Sequence, residues 1–483
     1  MKRTVGMTIA IFAIIGVFLG FSVVCYLGAG WLPAYLTTWR VPEQSLDPAW
    51  ADVVASFVNL LTLMLGGVMI LATLLTLAER KWSAFMQDRV GPNRARIAGI
   101  NSPLAGVPHV IADSLKMLTK EGFVPDQAYR FLFRLAPVLN FAPVFCLFAI
   151  VPVGPRLDFA MAQERTLSMS LQVASPDFGV LYIFALASIA VYGTALAGWA
   201  SSNKFALLGG VRATSQMISY EVALGLSLVG MMLICNTLKL DGMMLPHDLL
   251  GNGGYIWKAG TMDLGLPAWG IFMQPIGFIL FFTAAFAETK RAPFDLPEGE
   301  SEVIGYFVEY SGMGFGMFMI TEFVEVVVLS AITAVVFFGG YHLPFGESAL
   351  AEALGATGTV GRYVGDWHGI LLGAILASAF WIKVMLLCWV QLAVRWSFPR
   401  FRYDQIQRLG WQMLLPAGLV NVFLTGALVL WDPSLKWLTL VGLAEIAAII
   451  ALVPGPSKES AVAGGHGAHG AHAAPAAAPG HGH

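Results

Sequence analysis

Four ionisable side chains stand inside runs that are otherwise apolar. Glu221 lies in Ile218-Ser219-Tyr220-Glu221-Val222. Glu322 and Glu325 lie in Ile320-Thr321-Glu322-Phe323-Val324-Glu325-Val326-Val327, and Lys383 is alone in Phe380-Trp381-Ile382-Lys383-Val384-Met385. The i, i+3 spacing puts Glu322 and Glu325 on one face of a helix. A charge among lipid tails is costly, so such residues face a protein or water-filled interior and are functional candidates by default. Burial disfavours the ionised form of a carboxyl, and acids of this kind linked by water can pass protons along a path. One such residue is as readily explained by a structural ion pair, for instance Lys383 with one of the glutamates. Four in one chain favour proton transfer.

Two ionic segments follow apolar runs and are expected to form one site on one face of a membrane. The first, Glu79 to Asn93, carries Glu79, Arg80, Lys81, Asp88 and Arg89 ahead of a Gly91-Pro92 helix stop. The second holds the carboxylates Glu288, Asp295, Glu298, Glu300, Glu302 and Glu309, with Lys290 and Arg291 as the nearby cations. Pro293, Phe294, Leu296, Val303, Ile304, Tyr306 and Phe307 are interleaved among them. That mixture suits a loop folded back into the protein, where irregular backbone is tolerated at membrane depth. Were 301–309 helical, Glu302 and Glu309 would share a face about 10 Å apart. A third segment, 394–410, combines Arg395, Arg400, Arg402, Arg408 and Asp404 with aromatic residues, as expected for docking a soluble partner.

The elements that must position these residues are membrane spans. Of 483 residues, 57% are hydrophobic and only 12% charged, against roughly 25% charged in a soluble domain. The fold class is therefore an all-α polytopic membrane protein. Ten apolar runs of spanning length occupy about 7–32, 54–78, 131–153, 178–200, 216–236, 269–287, 313–338, 368–393, 411–431 and 435–453. Lys and Arg concentrate in 79–130, 201–215, 288–312 and 394–410, which the positive-inside rule places in the cytoplasm together with both termini. Residues 107–120 have helical periodicity, with Ile111, Leu115 and Leu118 on an apolar face and Asp113, Lys116 and Lys120 polar. This predicts a helix at the interface or against a partner. After Pro456 the composition collapses to Gly, Ala, Pro and His, a disordered tail. The first run is too long for a usual signal peptide and is read as a retained span. A net charge of −2 gives no sign of a nucleic-acid partner. The four cysteines are dispersed, with no CxxC, and no histidine sits mid-span as a haem ligand would. The chain is expected to hold no metal or redox centre of its own.

Seven motifs in order resemble the H-type membrane component of NADH:quinone oxidoreductase, respiratory complex I. They are Glu79-Arg80-Lys81 with Gln87, Arg89 and Gly91-Pro92-Asn93; Ala112-Asp113-Ser114-Leu115-Lys116; Ile218-Ser219-Tyr220-Glu221; and Arg291-Ala292-Pro293-Phe294-Asp295-Leu296. Glu298-Gly299-Glu300-Ser301-Glu302, Glu309-Tyr310-Ser311-Gly312 and Pro399-Arg400-Phe401-Arg402-Tyr403-Asp404-Gln405 complete the set. The resemblance implies an eight-helix core over 54–431. Outside it lie one extra transmembrane helix with a linker at 1–53, another at 432–455, and the tail at 456–483. It implies a subunit of the bacterial cytoplasmic (inner) membrane in which Arg80, Arg89, Asp113 and Arg291 border the quinone chamber. Glu221, Glu288, Asp295, Glu298, Glu300, Glu302, Glu309 and Glu322 would form or feed a proton path, to which the buried Lys383 is added. Arg395, Arg400, Arg402 and Asp404 would dock partner subunits. Quinone is the implied substrate, with FMN and iron–sulfur clusters in the partner subunits.

The chain departs from the family pattern in three places. One residue fewer than expected separates Glu302 from Glu309, the loop Phe345 to Asp366 is long, and Thr289-Lys290 replaces the pair expected before Arg291. The alternative reading is the equivalent subunit of a membrane-bound hydrogenase-type complex. An autonomous ion transporter would show an internal repeat with broken helices, and no clear repeat is present.

Overall fold

The computed structural model describes residues 16–28, 48–95, 106–160, 166–245, 255–258, 265–296, 305–356, 358–359, 362–432 and 434–452. The architecture is that of an all-α polytopic membrane protein. In chain order the helices are α1 Gly16–Tyr26, α2 Val53–Met86, α3 Val107–Thr119, α4 Arg130–Leu147, α5 Gly179–Ala200, α6 Lys204–Cys235, α7 Pro275–Glu288 and α8 Gly312–Phe337. They continue with α9 Glu347–Leu354, α10 Trp367–Ser397, α11 Tyr403–Trp431 and α12 Lys436–Leu452. Seven helices among the described residues are long and apolar enough to cross a membrane: α2, α4 (with a following short turn to Ile150), α5, α6, α8, α10 and α11. The shorter α7 completes a set of eight between Val53 and Trp431.

The core is built round α8. Nearly every side chain from Thr321 to Phe337 is buried, and α4, α7, α10 and α2 all pack against it. Its central run, Val324-Glu325-Val326-Val327-Val328-Leu329, is apolar all round except for one acid, as a helix enclosed by other helices must be. Glu322 and Glu325 are thereby carried to the centre of the molecule rather than to lipid.

Several helix ends differ from the sequence expectation. α6 starts at Lys204 rather than 216, because the Asn203 side chain caps it by accepting from the Phe205 N–H at 2.9 Å. α11 starts at Tyr403 rather than 411, so the third ionic segment shrinks to a short non-helical stretch, 398–402. The first ionic segment is largely the last turns of α2. That helix stops at Met86, before Gly91-Pro92, and Asp88 takes φ +54°. The run 269–287 is broken at Gln274, ahead of Pro275. The Gln274 amide accepts from Asn421 Nδ2 at 3.0 Å and donates to Thr425 Oγ1.

The face opposite the ionic segments carries structure that hydropathy alone did not predict. Strands β1 Arg156–Ala160 and β2 Thr166–Met169, with β5 Gly358–Thr359 and β6 Arg362–Val364, form a small sheet in the order β2-β1-β6-β5. β3 Tyr255–Lys258 and β4 Gly265–Pro267 make a separate hairpin. Glu298, Glu300 and Glu302, residues 29–47 and 96–105, and the tail lie outside the described residues.

Candidate functional site

The end of α2 is tied to two distant segments by one carboxylate. Glu79 Oε2 accepts from Arg291 Nη1 at 3.0 Å, and its Oε1 accepts from Arg395 Nη1 at 2.8 Å. The Arg291 side chain is only 4% exposed. Its guanidinium lies 3.9 Å from the centroid of the Phe323 ring, which stands between the two acids of α8. Arg291, expected to border the chamber, is thus the inner member of a buried ion cluster. Glu79 of the first ionic segment is its partner.

Arg80 and Arg89 sit on the outer side of the same helix end. They line an open cleft of about 790 Å³ with Ser83, Gly91, Asn93 and Arg94. Asp113 of α3 closes one side of this arrangement, accepting from Arg80 at 2.7 Å and from Lys116 at 3.2 Å. Partial burial pushes the Asp113 carboxyl up. The hydrogen bonds and charges of Lys116 and Arg80 outweigh it and hold the group below its ordinary value. Ile111, Leu115 and Leu118 on α3 are exposed, so the predicted apolar face is open in this chain alone.

The loop after α7 is anchored from within. Gln216 Nε2 donates to the carbonyls of Ala287 (2.6 Å) and Phe294 (2.7 Å). The Phe401 N–H donates to Pro293 O at 3.1 Å, and the Phe294 and Phe401 rings are 5.5 Å apart. Asp295 pairs with Arg400. Two of the four residues expected to dock a partner, Arg395 and Arg400, are therefore engaged inside the chain. Arg402 and Asp404 remain largely exposed, 3.6 Å from each other.

Three carboxylates from three helices converge on one enclosed cavity. Glu221 of α6, Glu288 at the end of α7 and Glu325 of α8 line a space of about 20 Å³, with Val144, Leu147, Ile183 and Leu224 as apolar wall. A space of this size holds about one water. Ser188 of α5 donates to Glu221 Oε1 at 2.5 Å. Glu288 and Glu325 are buried, and Oε2 of each has no hydrogen-bond partner among the described residues. Lys290 and Arg291 follow Glu288 by two and three residues, and the Arg291 guanidinium stacks on Phe323, two residues before Glu325.

A family model described as NADH dehydrogenase matches residues 58–426. The chain belongs to the NADH dehydrogenase family. The NADH-quinone oxidoreductase H-type subunit 1 of Cytophaga hutchinsonii is 38% identical over 363 residues, covering 75% of this chain and 93% of the relative. The H-type subunit of Bdellovibrio bacteriovorus is 41% identical over 366 residues, covering 74% and 91%. NADH-quinone oxidoreductase subunit 8 of Rhodothermus marinus is 39% identical over 363 residues, covering 75% and 94%. The helices α1 and α12 lie outside the region matched by the NADH dehydrogenase family model.

Not every residue singled out in this NADH dehydrogenase family member joins the cavity. Glu322 is buried one turn before Glu325 but does not line it. Glu309 accepts from Asn203 Nδ2 at 2.6 Å beside a separate open cleft of about 390 Å³. Among the described residues, Lys383 pairs with no glutamate of the acidic set. Its Nζ donates to the carbonyls of Phe338 (2.8 Å), Gly340 (2.8 Å) and His342 (2.6 Å), and stands 4.4 Å from the Trp269 ring centroid. Those carbonyls belong to the left-handed turn at Gly339-Gly340 that ends α8, so the lysine acts there as a helix-end anchor. Gln216 and Ser188 carry no mark in the sequence. Each is an ordinary type at an ordinary spacing, and only its partner in space marks it.

Proposed function

We propose that the chain is a membrane subunit of a proton-pumping NADH-quinone oxidoreductase that shapes the quinone chamber and links quinone reduction to proton movement. The observation that carries this reading is the meeting of Glu221, Glu288 and Glu325 at a water-sized cavity, with Arg291 stacked on Phe323 between the two acids of α8. The names of the relatives supply the reaction. Quinone reduction takes two electrons and two protons, and the electrons come from iron–sulfur clusters, fed through FMN, in partner subunits of the peripheral arm.

This chain contributes position and electrostatics. Arg80, Arg89 and Asp113 form the outer wall of the chamber, and Arg291 with Glu79 and Arg395 forms the inner one. Negative charge developing on the head group competes with Glu79 for Arg291. Loosening that pair changes the field at Glu325, and a proton redistributes among Glu325, Glu288 and Glu221 as a coupled set. Glu322 lies beside this route on α8. Asp295, Glu298, Glu300, Glu302 and Glu309 make up the acidic loop that feeds it. The subunit sits in the bacterial cytoplasmic membrane, with both termini on the cytoplasmic face.

The test is Arg291→Ala in the whole complex. The expected result is an assembled complex that oxidises NADH with an artificial acceptor and has lost quinone reductase activity. A fully assembled Arg291→Ala complex with parental quinone reduction and pumping overturns the assignment.

A further inference from the structure

A second cavity lies on the face opposite the ionic segments. It measures about 580 Å³ and opens where α4 and α6 end and the small sheet begins. That is the size of a site for a small organic group. Its lining includes three cations, Arg156, Lys239 and Arg362, and one carboxylate, Asp241; Lys239 is also paired with Asp177, outside the lining, at 2.6 Å. The chamber residues and the acid cavity use none of these.

Two observations point to an occupant. First, Arg156 and Arg362 are directly paired across the parallel strands β1 and β6. Like charges placed opposite each other in a sheet are destabilising. Arg156 is held by Asp241 at 3.0 Å and Arg362 by Asp158 at 2.6 Å, each through one guanidinium nitrogen. A planar guanidinium offers five N–H donors suited to phosphate, so both keep donors for an anion between them. Second, Asp241 lines the same cavity, with Oδ2 on Arg156 at 3.0 Å and Oδ1 on the Gly242 N–H at 2.9 Å. An ionised carboxylate has about four acceptor sites, so Asp241 keeps room for a further cationic donor.

We infer that this cavity binds the headgroup of an aminophospholipid. The phosphate lies between Arg156 and Arg362 with Lys239 at the rim, and the ammonium reaches Asp241. The position at the ends of two membrane-spanning helices selects a lipid over a soluble phosphate. Apolar Ile234, Met244 and Leu245 in the same wall suit the carbon atoms between headgroup and chains.

The experiment uses the whole complex, stripped of loosely held lipid and loaded with photoreactive phosphatidylethanolamine or phosphatidylglycerol of equal chain length. The expected result is crosslinking of the ethanolamine lipid to the peptides around Arg156, Asp241 and Arg362, and weaker labelling by the glycerol lipid. In Arg156→Gln/Arg362→Gln labelling should fall about tenfold, the loss of one charge-assisted contact or more. Asp241→Asn should abolish the preference for ethanolamine while retaining phosphate-dependent labelling, so a folded variant carries the test even if the double variant assembles poorly. Equal labelling by both lipids in the parent overturns the ammonium assignment. Labelling unchanged by any of the substitutions overturns the site. Displacement of the probe by soluble phosphoethanolamine or inorganic phosphate, at concentrations matching the lipid, overturns the lipid source.

Discussion

Glu79 takes one guanidinium on each carboxylate oxygen, and this pairing sets the inner wall of the candidate chamber. Removing one member of a buried ion cluster leaves the others uncompensated, at a cost of roughly 3–5 kcal/mol. Glu79→Gln should therefore lower the thermal transition of the subunit within the complex more than Arg80→Gln does. The Arg80–Asp113 pair is solvent-exposed and worth roughly 0.5 kcal/mol. Differential scanning of the two complexes reads this ordering directly. Asp113 also makes a pH prediction. Its folded value is held down, so its stabilising contribution is present above the ordinary carboxylate value near about 3.9 and is lost as pH falls through the folded value. The stability gap between parent and Asp113→Asn should be constant at neutral pH and close only below that range. A gap that closed near neutrality would contradict the pairing seen here. The sequence made Glu221, Glu322, Glu325 and Arg291 conspicuous because ions among apolar residues need a reason. It named Glu79 without its partners and was silent on Ser188, because a partner across the fold leaves no mark on local spacing.

At the scale of elements, α8 decides what is buried. Its enclosure by α2, α4, α7 and α10 brings Glu325 to Glu288 and Glu221, and its far end is held by Lys383. Lys383 looked like part of the acidic path because a lone cation in an apolar run resembles a proton carrier. The three carbonyls it holds come from a turn that depends on Gly339 and Gly340 at positive φ, which no hydropathy pattern reveals. Lys383→Met should leave those carbonyls unsatisfied and destabilise the subunit by roughly 3 kcal/mol. Protons moved per electron should stay at the parental value in whatever complex assembles. Loss of pumping at normal stability would return Lys383 to the path. The spans were legible wherever apolar composition continued. Their starts were not, because caps such as Asn203 and breaks such as Gln274-Pro275 carry helices on beyond the apolar runs or interrupt them.

For the whole molecule, eight apolar helices fall in or across the region 58–426 matched by the family model, and α1 and α12 lie outside it. α1 is integrated rather than appended. Phe18 and Phe21 pack on Trp381 of α10, and Tyr26 donates to Pro155 O at 3.0 Å through a slot between Gly154 and Gly373. A Cβ on Gly154 would collide with the Tyr26 hydroxyl. Gly154→Ala should therefore displace α1 and increase protease cleavage between α1 and α2 in the assembled complex, while Gly122→Ala, which meets nothing, should not. If α1 and α12 both span, tags at the two termini will be reached only from the face that carries Arg80. The alternation of basic and neutral segments makes this orientation an expectation readable in the sequence. The small sheet on the other face was not, because its strands are short and their pairing joins segments about two hundred residues apart.

The central claim is that the cavity shared by Glu221, Glu288 and Glu325 links quinone chemistry to proton movement. It is tested most directly by NADH-driven quinone reduction and acidification in vesicles containing the Glu288→Gln complex. The substitution keeps shape and removes the titrating group. The account predicts a fully assembled complex in which quinone reduction and pumping fall together, by about tenfold or more, the scale of a lost proton-transfer group. An assembled Glu288→Gln complex that reduces quinone and pumps at parental rates would contradict it.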